Sequence, residues 1–290
     1  MPSRISLGTV QFGLDYGIAN KNGKVPRQKI FEILKSAHTQ GISCLDTAYD
    51  YGDSEDVIGA YLKQHANQFE VVSKLPALAS YAPGKAEEFL RLTLKRTSLT
   101  KLYGYLVHKF ENFLTYQDLW EEFIRLKNKN LVDRIGFSLY APAELEILFE
   151  KDITFDLIQV PYSVFDRRFE KYFDILKKRQ VEVHVRSVFL QGLAFLDPDR
   201  LPGNLVGAKE NIKNLRKLAS NNNVPVSAIC LNYVLQNRRI DKIVIGVDNP
   251  AHLKNNMLDD SGHLKGRLED LIIYDDNILM PYKWELGDSK

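Results

Sequence analysis

Residues 44–55 read Cys44-Leu45-Asp46-Thr47-Ala48-Tyr49-Asp50-Tyr51-Gly52-Asp53-Ser54-Glu55. An apolar pair leads into Asp46, an aromatic and acidic turn follows, and Ser54-Glu55 supplies the polar, acidic start that suits a helix. A buried strand is therefore expected to end at Asp46, with Asp46 and Tyr51 in one strand-to-helix loop. Loops of that kind, at the C-terminal rim of a parallel barrel, build active sites. Taken alone, the stretch also fits a structural role in which Asp46 caps a turn and Tyr51 packs with Tyr49 against the next helix.

Outward from this loop the pattern repeats. Upstream, residues 5–10 read as a short buried strand, and Ile30, Ile33, Leu34 and Ala37 recur at helical spacing between Pro26 and Gly41. Downstream, helices are expected at 54–64, 83–97, 116–128, after Pro142, and at 169–178, 208–221 and 226–236. Strands are expected at 69–73, 103–107, 134–137, 155–160, 181–185 and 242–245. With those at 5–10 and before Asp46 this makes eight, alternating with helices, which predicts an α/β fold closed as a (β/α)8 TIM barrel, a single domain over 1–290. Gly8-Thr9-Val10-Gln11-Phe12-Gly13 has the wrong spacing for the dinucleotide fingerprint of an open sheet. The least regular segment, 192–207 with Pro198, Pro202, Gly203 and Asn204, reads equally as an active-site loop or a surface connection.

Composition narrows the function classes. The chain has 290 residues, is 44% hydrophobic and 26% charged, and its 39 basic and 37 acidic residues give a formal net charge of +2. That is ordinary for a globular protein, and with no long run of one sign it leaves no electrostatic footprint for nucleic acid. The first residues carry one Arg and no apolar h-region, and no apolar span reaches membrane length, so a cytoplasmic protein without membrane contact is expected. Cys44 and Cys230 sit in apolar surroundings and lack zinc-site spacing, so both read as core residues. His38, His65, His108, His184, His252 and His263 show no close ligand spacing, and no metal is expected.

Two more strand ends carry chemistry. Lys74 follows Val71-Val72-Ser73, and His108 follows Tyr105-Leu106-Val107. A free phenol has a pKa of about 10, so Tyr51 as a proton donor needs help. An ammonium at Lys74 favours the phenolate, Asp46 balances Lys74, and His108 orients a carbonyl oxygen beside the phenol. DTAYDYGDSE (46–55), VSKLP (72–76) and YLVH (105–108) together resemble the aldo-keto reductase family. Its tetrad of Asp, Tyr, Lys and His, in that chain order, falls on Asp46, Tyr51, Lys74 and His108. The resemblance covers nearly the whole chain and implies NAD(P)H-dependent reduction of a small-molecule aldehyde or ketone, with Tyr51 as general acid. The run 186–192, RSVFLQG, resembles members associated with bacterial surface-sugar synthesis, which points to a sugar-derived substrate.

The same resemblance implies cofactor contacts at Thr9, Asp46, Ser138, Gln159, Arg186, Ser187, Gly246 and Asn256. It also has departures. Leu139 follows Ser138 where the family carries Asn, and Arg186 precedes Ser187 where an aromatic ring often stacks on nicotinamide. A guanidinium plane can stack on a ring or bind an acidic group on the substrate, and Arg186 fits either role, as well as a plain pairing with a nearby carboxylate. Near 245–256 Asn256 matches the carboxamide that meets adenine, but Gly246 and His252 stand at the expected basic positions and Asp248 repels a phosphate. Only Lys254 or His252 remains to supply positive charge, so the expected cofactor is NADP(H) with NAD(H) as the alternative. Two rival functions stay open on the residues: a Schiff-base aldolase with Lys74 as nucleophile, and a cofactor-binding regulatory protein without catalysis. The sequence assigns no oligomeric state.

Overall fold

The computed structural model describes residues 3–66, 68–250 and 266–286. Eight parallel strands close into one barrel in chain order: β1 (Ile5–Gly8), β2 (Cys44–Asp46), β3 (Glu70–Leu75), β4 (Leu102–Val107), β5 (Val132–Ser138), β6 (Leu157–Pro161), β7 (Glu182–Arg186) and β8 (Lys242–Gly246). Closure is made by β1 against β8, with Ile5 opposite Ile243 and Leu7 opposite Ile245. The expected (β/α)8 barrel is what forms.

The helices are α1 (Val10–Gly13), α2 (Arg27–Thr39), α3 (Ser54–Leu62), α4 (Lys85–Thr97), α5 (Phe110–Thr115), α6 (Leu119–Asn128), α7 (Pro142–Glu150), α8 (Phe173–Lys178), α9 (Lys209–Asn221), α10 (Val226–Gln236) and α11 (Asp276–Leu279). Helix α4 shows why these stretches coil. Ala86, Leu90, Leu94 and Thr97 recur at three- and four-residue spacing and form the buried face. Glu87 and Glu88 lie in its first turn and Lys95 and Arg96 in its last, the arrangement that complements the helix dipole.

The strands build two apolar layers because side chains alternate across a strand. Leu45, Val71, Leu75, Val107 and Ile158 face outward into the main core shared with the helices. Cys44, Val72, Leu106 and Leu157 form a separate buried cluster, which fills the barrel itself. Cys44 and Cys230 are both free and buried, as core residues.

Three local expectations are corrected. Val10 starts α1 and does not extend β1. β3 runs on through Lys74 to Leu75, so Lys74 stands within the strand, one residue before its end. The turn after His108 contains a helix, α5, that the pattern did not announce. The segment 192–207, read as the least regular, holds short 3-10 turns at Leu190–Phe195 and Gly203–Ala208. The last described stretch packs back over the loops that follow β6 and β7. Ile273 N donates to Phe165 O at 2.9 Å, Asn211 Nδ2 donates to Ile272 O at 3.0 Å, and Arg168 meets Asp276 at 2.7 Å.

Candidate active site

The two-residue period that puts Cys44, Val72, Leu106 and Leu157 inside the barrel also puts the residues two further on at its C-terminal rim. Those are Asp46, Lys74, His108 and Gln159, and the same step on β7 runs from His184 to Arg186. Five strands and the loop carrying Tyr51 therefore converge. Lys74 Nζ donates to Asp46 Oδ2 at 2.7 Å and to Thr47 O at 2.8 Å. Gln159 Nε2 donates to the other carboxylate oxygen, Oδ1, at 2.6 Å. The ammonium lies 5.2 Å from the centre of the Tyr51 ring, and that ring meets His108 edge-on at 6.0 Å.

Tyr51 is placed by backbone rather than by its own contacts. A Cβ on Gly13 would lie 1.8 Å from Tyr51 O, and Gly52, at φ +56, comes so close to Gly13 O that a Cβ would sit 2.4 Å from it. Only glycine permits both the left-handed turn and the close approach. Beneath this contact Thr9 Oγ1 donates to Asp46 O at 2.9 Å, and Ser54 Oγ lies 2.9 Å from Thr9 Oγ1 and 3.1 Å from Thr47 Oγ1. Thr9 is fully buried, so its hydroxyl fastens β1, β2 and the start of α3 together.

Burial sets the protonation states. It raises the Tyr51 phenol well above its ordinary value, with Asp46 and Tyr140 adding to the shift and Arg186 opposing it. Burial also pushes Lys74 below the usual ammonium range, against the charge and hydrogen bond of Asp46. His108 is driven down to about 2, first by burial and then by Lys74, Arg186 and Lys109. Near neutral pH the site thus holds a protonated phenol and a neutral imidazole. The sequence expectation that Lys74 would lower Tyr51 is outweighed by desolvation.

The expected cofactor residues separate. Ser138 pairs with Gln159 in the β5–β6 register, and both are buried. Gln159 Oε1 is buried with no hydrogen-bond partner among the described residues. Since Asp46 only accepts, the Gln159 amide nitrogen faces it and an acceptor is left over, as a carboxamide donor would require. Leu139 packs in the core, and its carbonyl accepts from Arg186 Nη2 at 2.9 Å, so the two departures from the family pattern touch each other. Ser187 follows at φ +63. Gly246 is exposed, and a Cβ there would meet Gln11 Oε1 at 3.1 Å. Asn256, Lys254 and His252 lie outside the described residues.

Three mouth residues escaped the sequence reading. The Arg186 guanidinium stacks 4.1 Å over Tyr140, Tyr282 meets Tyr140 edge-on at 5.4 Å, and Tyr16 interacts electrostatically with Tyr51, Tyr140 and Arg186. Tyr140 had a signal, since it stands two residues past Ser138 at the same strand end. Tyr16 and Tyr282 had none, because long connections bring them in. Among the described residues no three His, Cys, Asp or Glu side chains gather as a metal site, and no helix is long and apolar enough to cross a membrane.

Comparison with known proteins identifies the family. The family model described as "Aldo/keto reductase family" matches residues 4–258. An NADH-specific methylglyoxal reductase from Escherichia coli is 23% identical, covering 88% of this chain and 89% of its own. An uncharacterized oxidoreductase from Bacillus subtilis is 22% identical, covering 88% and 86%. Among solved structures, an aldo-keto reductase from Bacillus halodurans in its holo form superposes with a TM-score of 0.73 at 20% identity, covering 93% of this chain and 90% of that one. The glycerol dehydrogenase of Gluconobacter oxydans gives 0.72 at 19% identity, covering 100% and 95%. A match over most of the chain, on a closed barrel with this rim, places the protein in the aldo/keto reductase family, NAD(P)H-dependent oxidoreductases that act on carbonyl compounds.

Proposed function

We propose that the protein reduces a sugar-derived aldehyde or ketone, with Tyr51 donating the proton. The observation that carries this reading is the buried chain Gln159–Asp46–Lys74, whose ammonium lies 5.2 Å from the centre of the Tyr51 ring. When bound, a nicotinamide dinucleotide supplies the hydride. Tyr51 gives its proton to the oxygen of the carbonyl as negative charge grows there, and Lys74 stabilises the phenolate left behind. Asp46 holds Lys74 charged and in place. His108, neutral, fixes the direction of the substrate oxygen. Gln159 Oε1, with Ser138 beside it in register, offers the hydrogen bonds that hold a carboxamide, so the residues present fit the cofactor. Thr9 acts beneath the site and not on the ligand, its hydroxyl being engaged with Asp46 and Ser54.

The rival roles for Lys74 fit less well. A Schiff base needs a free amine, and Lys74 Nζ is buried between Asp46 Oδ2 and Thr47 O. Cofactor choice follows from 245–256. Gly246 and Asp248 offer a 2′-phosphate no positive charge, and the similarity to an NADH-specific reductase supports NADH as a true alternative. The preference for NADPH is therefore expected to stay below about a hundredfold, about 2.7 kcal/mol. Calorimetry with NADH and NADPH tests both statements: binding of neither at millimolar concentration sinks the reductase reading, and a larger preference sinks only the cofactor argument.

A further inference from the structure

We propose that Arg186, Lys109 and Tyr140 form an anion subsite at the barrel mouth, so that the carbonyl compound reduced here carries a carboxylate or a phosphate. The inference rests on the carbonyl-reductase reading and names the substrate class for it.

Arg186 is held rigidly. Its plane lies over Tyr140 at 4.1 Å, Nη2 donates to Leu139 O at 2.9 Å and Nη1 reaches Ser187 Oγ at 3.4 Å. Lys109 Nζ approaches the same Tyr140 ring at 6.0 Å. Two cations thus flank one ring, and among the described residues neither has a carboxylate within 4.0 Å. Other inward cations are matched: Lys74 by Asp46 at 2.7 Å, Arg168 by Asp166 at 2.8 Å. Two carboxylates stand further off: Asp50, 3.9 Å from His108 Nδ1 and open to solvent, and Glu144, which accepts from the backbone N–H groups of Tyr140 and Ala141 at 2.6 and 2.9 Å and acts on Arg186 only through space.

Keeping a half-buried guanidinium with no carboxylate on its donors costs desolvation free energy, and a substrate anion would offset it. The planar fork, with donors left over after Leu139 O, matches two oxygens of a carboxylate or phosphate. Arg186 also acts electrostatically on Tyr51, Lys74 and His108. An anion held at Arg186 and a carbonyl placed at Tyr51 would thus share one mouth of the barrel, as two groups of one small molecule do.

The test compares matched substrates that differ in one charged group: glyceraldehyde 3-phosphate against glyceraldehyde for phosphate, and succinic semialdehyde against butanal for carboxylate. The parent enzyme should favour the charged member of one pair by at least about tenfold in kcat/KM, and that pair names the anion. Arg186→Met should lower kcat/KM for the charged member by about ten- to a hundredfold, mainly through KM, and for the neutral member by less than about threefold. Lys109→Met, on an exposed side chain, should lower the charged member by at least about threefold. Equal losses for both members, with weakened cofactor binding, would assign Arg186 to the nicotinamide ring and overturn the proposal, as would a parent enzyme blind to the charge. Calorimetry of glycerol 3-phosphate and of succinate on the NADH-loaded protein gives a second readout that needs no turnover. If no carbonyl compound is reduced, the reductase reading fails, and the anion subsite is then decided by binding alone: present in the parent and lost in Arg186→Met supports it, absent in the parent overturns it.

Discussion

At Asp46, one carboxylate serves two buried partners, Lys74 on Oδ2 and Gln159 on Oδ1. A pair this dry gains little net stability over apolar packing, yet breaking it strands a charge. Asp46→Asn keeps the shape and removes the charge. It should cost about 3–5 kcal/mol in urea unfolding at neutral pH and lower turnover together with it. A loss below about 1 kcal/mol would mean that Lys74 is already neutral in the fold. Asp46, Lys74 and His108 were legible in the sequence because each stands at or next to a strand end, and Tyr51 because it lies in the loop that follows one, where residue type and position are read together. The protonation states were not, since they depend on burial: Lys74 was expected to lower the Tyr51 phenol, and desolvation instead raises it. Tyr140, the ring under Arg186, was passed over because its meaning comes from a contact with a strand 46 residues further on.

At the scale of elements, the loop holding Tyr51 is fixed by α1, a four-residue helix whose first residue, Val10, the sequence reading placed in β1. Its final residue, Gly13, touches Tyr51 O so closely that any side chain must push the loop away. Gly13→Ala should therefore reduce kcat by at least about tenfold and destabilise by about 1–3 kcal/mol, the usual range for overpacking. Gly41→Ala is the matched control. Gly41 also has positive φ, +77, but no atom lies near its missing Cβ, so the change should cost only about 1 kcal/mol and leave kcat unaltered. Equal effects on kcat would show that α1 does not position the phenol. The strands were legible through buried β-branched runs. The short helices α1 and α5 were not, because four and six residues hold too few turns for a helical period to show.

Across the whole molecule, the two ends of the barrel differ in purpose. The C-terminal rim gathers the reactive groups, whereas near the start of β7 a second buried network ties β4, β5 and β7 together. Glu182 accepts from His184 Nε2 at 2.7 Å and from Tyr103 OH at 2.6 Å, and it forms an ion pair at 2.8 Å with Arg134 Nε, whose N–H donates to Tyr103 OH at 3.0 Å. Burial works against the carboxylate, but the His184 hydrogen bond and charge, then Tyr103 and Arg134, offset it and hold Glu182 down to about 2. A carboxylate with a depressed folded-state pKa stabilises fully above its unfolded value, near 4.3, and loses that contribution as pH falls through about 2. Urea unfolding at pH 6 and pH 3 should show Glu182→Gln less stable than the parent at pH 6, by about 3 kcal/mol, with the gap narrowing at pH 3. A gap independent of pH would remove Glu182 from the acid response. The network was invisible in sequence because His184 and Glu182 look like ordinary strand alternation until Tyr103 and Arg134 arrive from strands that are not adjacent to β7 in the sheet.

The most direct measurement is single-turnover hydride transfer by Tyr51→Phe, using the best carbonyl substrate found. The substitution removes one hydroxyl and leaves Lys74, Asp46 and Gln159 in place. Positioned proton donation contributes roughly 10² to 10⁴ in rate, so the variant should be slower by about that factor while binding the dinucleotide with nearly unchanged affinity. A transfer rate within about threefold of the parent would contradict the assignment of Tyr51 as the proton donor.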